Sequence, residues 1–207
     1  GDVYHVDSSV WDGKIVFSSM QKYGKPPFSV YHEGGIFTTQ TVSPKSKEST
    51  ALKKINKEVV SALGMERGVT HAEFIKSHAE EQFYFLEVAA RVGGANIADL
   101  IEHTTGINPW AEWAKLELAS IRGETYQPPK VFQKFGGLVN TLARQEHPDL
   151  SAYNDPEVVW KSDKKDHAGL IVVSDTEART QELLNSYVQR FAEDFLAVAP
   201  PKDKASH

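Results

Sequence analysis

Cysteine is absent from the whole chain, which excludes disulfide bonds, thiolate metal centres and a cysteine nucleophile. No apolar run approaches the roughly 20 residues that a membrane-spanning helix needs, and no charged-then-apolar leader opens the sequence. The cytosol is the expected compartment, with no membrane partner. An excess of positive charge is also lacking. The 23 Lys and Arg are interspersed among 28 Asp and Glu, for a formal net charge of -5, so no extended cationic field exists to hold nucleic acid by its phosphates. The chain lacks an initial methionine, and its first residues already read as strand, as expected of an excised fragment or a processed product.

A chain of 207 residues can bury a full core and holds one large domain or one and a half small ones. Chemistry-bearing residues concentrate between Gly68 and Gly94. Phe83 to Val88 is aromatic and branched, and strict alternation places Phe83, Phe85, Glu87, Ala89 and Arg91 on one face of a strand. Val69 to Ile75 alternates as well, with His71, Glu73 and Ile75 together. The short polar segment Ser77 to Gln82 allows the two runs to pair as an antiparallel hairpin, bringing Glu73 and Glu87 to one space. Adjacent carboxylates repel and are costly to bury without a cation or proton, so a hard divalent ion with oxygen ligands is the natural third party. Arg91, four residues beyond Glu87, offers a fixed positive fork for phosphate or carboxylate oxygens. The competing account is a hairpin whose two glutamates are simply solvated.

Order and context favour the site. A glutamate on one strand, then Glu87-Val-Ala-Ala-Arg91 on the next, then Val-Gly-Gly-Ala-Asn-Ile-Ala-Asp-Leu-Ile-Glu-His-Thr-Thr-Gly-Ile-Asn, resembles the ATP-grasp superfamily. That superfamily includes the ATP-dependent carboxylate-amine ligases and their carboxylase relatives, the biotin carboxylase and carbamoyl-phosphate synthase domains among them. The resemblance extends over about two-thirds of the chain. It implies that Glu73 and Glu87 hold magnesium (manganese would also serve) on ATP, that Arg91 is catalytic, and that Ile75 and Leu86 form an apolar floor for adenine. It also implies that Gly93, Gly94 and Asn96 orient a substrate carboxylate. One departure stands out: Ala89 occupies the position where the family has a metal-binding Asn, and alanine cannot ligate a second ion.

The remaining segments support this stretch. Asp12-Gly13 is a hairpin turn signal between Val3 to Val10 and Lys14 to Ser19. His5 and Asp7 share a strand face; the resemblance makes them nucleotide-binding candidates near ribose and phosphate, and exposed hairpin polars are the alternative. Tyr23 to Pro27 breaks regular structure. His32, before Gly34-Gly35 and a strand Ile36 to Val42, is by the same resemblance a phosphate contact, or else a solvated loop histidine. Ser46 to Leu63 has the spacing of an amphipathic helix, with Leu52, Ile55, Val59, Val60 and Leu63 inward and Gly64 as its stop. Asn96 is placed to cap a helix, with Asp99 completing a capping box, and Asn108-Pro109 starts another. Beyond a connector at Gly123 to Pro129 come strands at Val131 to Leu142, near Val158-Trp160 and at Gly169 to Val173, and then a long helix capped by Ser174 or Asp175.

The expected fold class is α+β: the antiparallel sheet of an ATP-grasp C-terminal lobe with packed helices over residues 1–125, a small α/β cap over 126–200 and a disordered tail over 201–207. The family places ATP between two lobes, so the N-terminal lobe is missing here, the piece alone is expected to be inactive, and the surface left bare could drive homodimerisation. The implied activity is an ADP-forming ligation of a small carboxylate to an amine through an acyl phosphate. Two alternatives remain: a biotin-carboxylase-like enzyme, and a noncatalytic nucleotide-binding or assembly module, which Ala89 and the missing lobe both favour.

Overall fold

The computed structural model describes residues 1–25 and 35–197. Its frame is an eight-stranded sheet in which every neighbouring pair is antiparallel, in the order β5-β4-β1-β2-β3-β6-β8-β7. The strands are β1 (Asp2–Trp11), β2 (Lys14–Tyr23), β3 (Phe37–Thr41), β4 (Gly68–Lys76), β5 (Phe83–Ala89), β6 (Phe135–Leu142), β7 (Val158–Lys161) and β8 (His167–Ser174). Among the described residues four helices pack on it: α1 (Lys47–Ala62), α2 (Ile97–Thr105), α3 (Pro109–Arg122) and α4 (Glu177–Asp194). This is the α+β antiparallel architecture expected from the sequence. β3 pairs with β6, so residues on both sides of the connector around 125 contribute strands to one sheet.

Local chemistry accounts for the elements. Asp12 (φ 48°) and Gly13 (φ 71°) both take left-handed backbone and turn β1 tightly into β2, as a two-residue hairpin requires. Ser46 caps α1 by accepting from the Ser49 amide, and Asn108 caps α3 through the amides of Trp110 and Ala111. Left-handed Gly106 and Gly123 close α2 and α3. The last helix is capped by Thr176 rather than by Ser174 or Asp175, and β6 begins at Phe135, because residues 132 and 134 spend their amides on the α2 carbonyls of Thr105 and Thr104.

Both sheet faces are covered. On one, α1 packs Leu52 and Val60 against Tyr4, Val6, Ala72 and Phe74, and Asn56 donates to Ser8 at 2.9 Å. Leu63, expected inward, is 63% exposed, because it sits at the C-cap where the helix has already left the sheet. Farther along this face α4 buries Leu183, Leu184, Tyr187 and Phe191 over β6 and β8. The opposite face carries α2, whose Ile97, Leu100 and Ile101 meet Val3, Tyr23, Leu138 and Ile171, and α3, whose Leu116 and Ala119 meet Val69.

Two adjacent glycines of β6 let a helix approach from each side. A Cβ on Gly136 would lie 2.3 Å from Thr104 and 2.9 Å from Leu100 of α2, and one on Gly137 would lie 2.5 Å from Leu184 of α4. Gly136→Ala should therefore lift α2 off the sheet and cost about 1–3 kcal/mol, the usual range for overpacking, read as a lowered urea midpoint with unchanged slope. An unchanged midpoint would mean that α2 does not rest on this position.

Candidate functional site

β1, β4 and β5 lie side by side, and their register decides which side chains meet. His5 is opposite Glu73 and Asp7 opposite His71 across β1–β4, and Glu73 is opposite Glu87 across β4–β5. The two glutamates therefore share a sheet face, as the hairpin reading expected. The reading was wrong about Phe83 and Phe85. The β4–β5 register shifts between Glu73 and Phe74, leaving Leu86 unpaired, and this bulge inverts the alternation. Phe83 packs on Tyr4 beneath α1, and Phe85 meets Phe74 edge-on, whereas Glu87 and Ala89 turn to the other side with Glu73 and His71. Ile75 lies on the same face as Glu73, partly buried against the α2 core. Leu86, at the bulge, is 52% exposed.

Beneath Glu73 lies a continuous polar chain. His5 Nδ1 is 2.8 Å from Asp7 Oδ2, and His71 Nδ1 is 2.9 Å from Asp7 Oδ1. His71 Nε2 is 3.5 Å from Glu73 Oε1 and 3.3 Å from the Tyr23 hydroxyl, which donates to the same Oε1 at 2.7 Å. His5 stacks on Tyr23 with ring centroids 4.5 Å apart, and its Nε2 is 2.9 Å from the Thr39 hydroxyl. Glu73 Oε1 thus has two protein partners, and Oε2 has no protein donor among the described residues.

His5 is fully buried and Asp7 only 4% exposed. They are not exposed hairpin polars, and neither presents surface through which to touch a nucleotide; their partners are protein groups. Sequence reasoning marked these two and Glu73 but left out His71 and Tyr23, which join them. His71 is placed by the sequence on the face of Glu73 but given no role, and Tyr23 is read into a breaker, whereas β2 extends to Tyr23; a count of polar positions on the shared face of β1, β2 and β4 finds both.

Electrostatics follow from burial and pairing. Burial pushes His5 down, against the pull of Asp7, so it stays neutral; its Nδ1–H then donates to Asp7. Burial would raise the Asp7 carboxyl, but the hydrogen bonds from His5 and His71 outweigh it and hold it well below the usual range. Burial opposes protonation of His71 too, yet its bonds to Asp7 and Glu73 push it up to about 9. Glu73 is lowered: burial raises it, and the bonds from His71 and Tyr23 overcome that. Burial and then Glu73 raise the Tyr23 phenol, with the nearby Arg91 charge opposing. His5, Asp7 and His71 also bring three ligating atoms within 4.8 Å of one another. The His5–Asp7 and His71–Asp7 separations are hydrogen-bond lengths.

The segment after β5 folds over this chain. Arg91 is exposed, donates to the Val92 carbonyl at 3.1 Å and lies close enough to act on Tyr23. Gly93 is buried, and a Cβ there would sit 2.7 Å from Asp7 Oδ1 and 3.0 Å from His71 Nδ1, whereas Gly94 has open space. Ala95 (φ 51°) and Asn96 (φ 65°) are left-handed without being glycine, and the Asn140 side chain holds Ala95 O at 2.8 Å. Such backbone is costly and persists only where its surroundings enforce it. The expected capping box does not form. Left-handed Asn96 makes no side-chain cap and instead donates to Asp99 Oδ2 at 2.8 Å. His32 lies outside the described residues. A separate groove of about 830 Å³, lined by Thr38, Gln40, Leu184 and Gln189, lies on the α4 side, away from Glu73. No helix among the described residues is long and apolar enough to cross a membrane.

No protein-family model matches the chain. It is 30% identical over 108 residues to an L-arginine-specific L-amino acid ligase from Bacillus subtilis, an alignment spanning 52% of this chain and 25% of that protein. Among solved structures, an L-amino acid ligase from Bacillus licheniformis superposes with a TM-score of 0.67 at 15% identity, over 97% of this chain and 52% of that one. A phosphoribosylglycinamide synthetase from Anaerococcus prevotii gives 0.66 at 15% identity, over 96% and 54%. A carboxyaminoimidazole ribonucleotide synthase from Aspergillus clavatus, solved with ATP, gives 0.66 at 10% identity, over 93% and 51%. The chain thus spans about half the length of these solved proteins.

The charges predict a pH profile. Asp7 and Glu73 are depressed by folding, so their contribution is present above the ordinary carboxylate range and is lost as pH falls through their folded values. His71 is raised to about 9, so its contribution is complete below about 6.5, the ordinary imidazole value, and is lost as pH rises to 9. Denaturant midpoints should decline between pH 6.5 and 9 in the unmodified chain, and His71→Gln should flatten that limb; an equal decline in both would show that His71 does not carry the charge. In architecture, the chain has the fold of about half of each of these solved ligases and synthases.

Proposed function

We propose that the chain is the metal- and phosphate-binding part of an ADP-forming ATP-grasp ligase that joins a small carboxylate to an amine. The observation that carries this is the opposed pair Glu73 and Glu87 on neighbouring strands, with Glu73 Oε1 engaged by Tyr23 and His71 and Oε2 left for a cation. Two carboxylates on one face are a hard oxygen donor set suited to magnesium, or manganese, on a nucleotide. Ala89, opposite His71, adds no ligand, so Glu73 and Glu87 would be the residues to hold the ion.

In the reaction the substrate carboxylate oxygen attacks the γ-phosphorus and ADP leaves; the amine then attacks the acyl carbon, phosphate leaves and the nitrogen gives up a proton. Negative charge builds on phosphoryl and carbonyl oxygens in both steps, so fixed cations in a water-poor cleft matter more than a general base. A metal held by Glu73 and Glu87 would supply positive charge to the transferring phosphoryl group. Arg91 supplies a second cation on the same side. Ile75 and the exposed Leu86 offer apolar contact to adenine, and the Gly93-Gly94 turn with Asn96 offers backbone amides to the substrate carboxylate. The relatives include ligases that act on amino acids, which supports an amino-acid or peptide-type carboxylate.

Titration of ADP with magnesium tests the site. Glu87→Gln should weaken the metal-dependent part of nucleotide binding by about tenfold or more, the scale at which altered metal surroundings act. Superimposable curves for the variant and the unmodified protein would leave a module without a metal-nucleotide site. With the full-length protein, phosphate release from ATP should require both a carboxylate and an amine; release with neither, or with bicarbonate alone, would remove the ligase assignment.

A further inference from the structure

Glu73 is gripped from below by groups that no metal or nucleotide would touch. Tyr23 and His71 both reach Oε1, and His71 is in turn fixed through Nδ1 to Asp7. Asp7 is itself fixed by His5, whose ring stacks on Tyr23 at 4.5 Å and meets Thr39. The loop is closed: each member is held by two others. A carboxylate with one oxygen bound twice can rotate little about its last bond, so the direction of Oε2 is set before any ion arrives.

The same unit touches the segment that follows Arg91. Asp7 Oδ1 and His71 Nδ1 lie 2.7 and 3.0 Å from the position of a Gly93 Cβ, so the turn rests directly on the pair. A shift of His71 would displace Glu73 on one side and the Gly93 turn on the other.

We propose that Tyr23, His71 and Asp7 form a positioning unit that fixes Glu73 as a metal ligand and ties the metal site to the Gly93 turn. This rests on the assignment of Glu73 to the metal. Its residues touch neither nucleotide nor substrate, so they are positioning rather than catalytic residues. The tie is mechanical. An ion drawing on Oε2 pulls against a carboxylate anchored to His71, and His71 cannot yield without moving Asp7 under Gly93.

The two nitrogens of His71 can be separated by substitution. Asn at 71 keeps a donor where Nδ1 faces Asp7 and loses the reach to Glu73; Gln keeps a donor where Nε2 faces Glu73. The half-saturating magnesium or manganese concentration for ADP binding, with manganese followed by its electron paramagnetic resonance, should rise about tenfold in His71→Asn and in Tyr23→Phe, in line with losses at outer-shell partners of metal ligands. His71→Gln should recover most of the loss, and a purely structural role would instead follow thermal stability rather than the position of the retained donor. Gly93→Ala, which pushes the pair from above, should shift the metal dependence in the same sense and serves where Tyr23→Phe does not fold. Glu73→Gln is the control. If it weakens the metal dependence while His71→Asn and Tyr23→Phe leave it unchanged, the positioning unit is overturned and the metal assignment stands. If Glu73→Gln itself has no effect, the metal assignment falls and the positioning unit with it.

Discussion

A carboxylate buried to the extent of Asp7 survives only when donors replace the water it has lost. Its two oxygens each take an imidazole N–H, one from His5 on its own strand and one from His71 on the next. That demand fixes the register of β1 against β4, since a slip of one residue would carry Asp7 under α1, among Val6, Ala72 and Phe74. With the register set, His5 stands opposite Glu73, and the acid stands where β5 can bring Glu87 beside it. The ion pair is thus a constraint on alignment more than a source of net stability, as buried ion pairs commonly are.

The sheet divides labour between its faces. The α1 and α4 side is mostly apolar where the helices pack on the strands, with a groove beside α4. The α2 and α3 side mixes an apolar core with the polar chain from Thr39 through His5, Asp7 and His71 to Glu73. Gly136 and Gly137 allow α2 and α4 to close on the sheet from opposite sides at successive residues. This holds α2 close to the turn that starts it, and the left-handed Ala95 and Asn96 are the local cost of that arrangement.

Much of this was legible in the sequence because it rests on local rules. Asp12-Gly13, Ser46, Asn108-Pro109, Gly106 and Gly123 announced turns and caps that their side chains or their lack of a Cβ enforce. The pairing of Glu73 with Glu87 followed from two alternating runs and a short polar link. What failed to show depended on distant partners. Thr176 rather than Ser174 caps α4 because β8 continues to Ser174 against Phe135. Asn96 looked like a cap, but the Asn140 bond to Ala95 and the seating of Gly93 hold it left-handed. Tyr23 read as the start of a breaker, whereas β2 runs on through it, and nothing local marks a phenol for a carboxylate 50 positions on.

The bulge at Leu86 shows how core and site are reconciled in one strand. β5 is an edge strand that must give Phe83 to the core under α1 and Glu87 to the opposite face. Under strict alternation residues 83 and 87 share a face, so an unbroken strand can satisfy only one of them. Burying Glu87 beside Phe74 would strand a charge among apolar groups at a cost of several kcal/mol; turning Phe83 outward would forfeit roughly 1.5–3 kcal/mol of burial. One extra residue resolves both, and Leu86, the residue left without a partner, is extruded where β4 ends its polar half and begins its apolar one. The irregularity is therefore what allows a single hairpin to give one side to the hydrophobic core and set the paired carboxylates Glu73 and Glu87 on the other, and the unbroken alternation read from sequence could not have contained it.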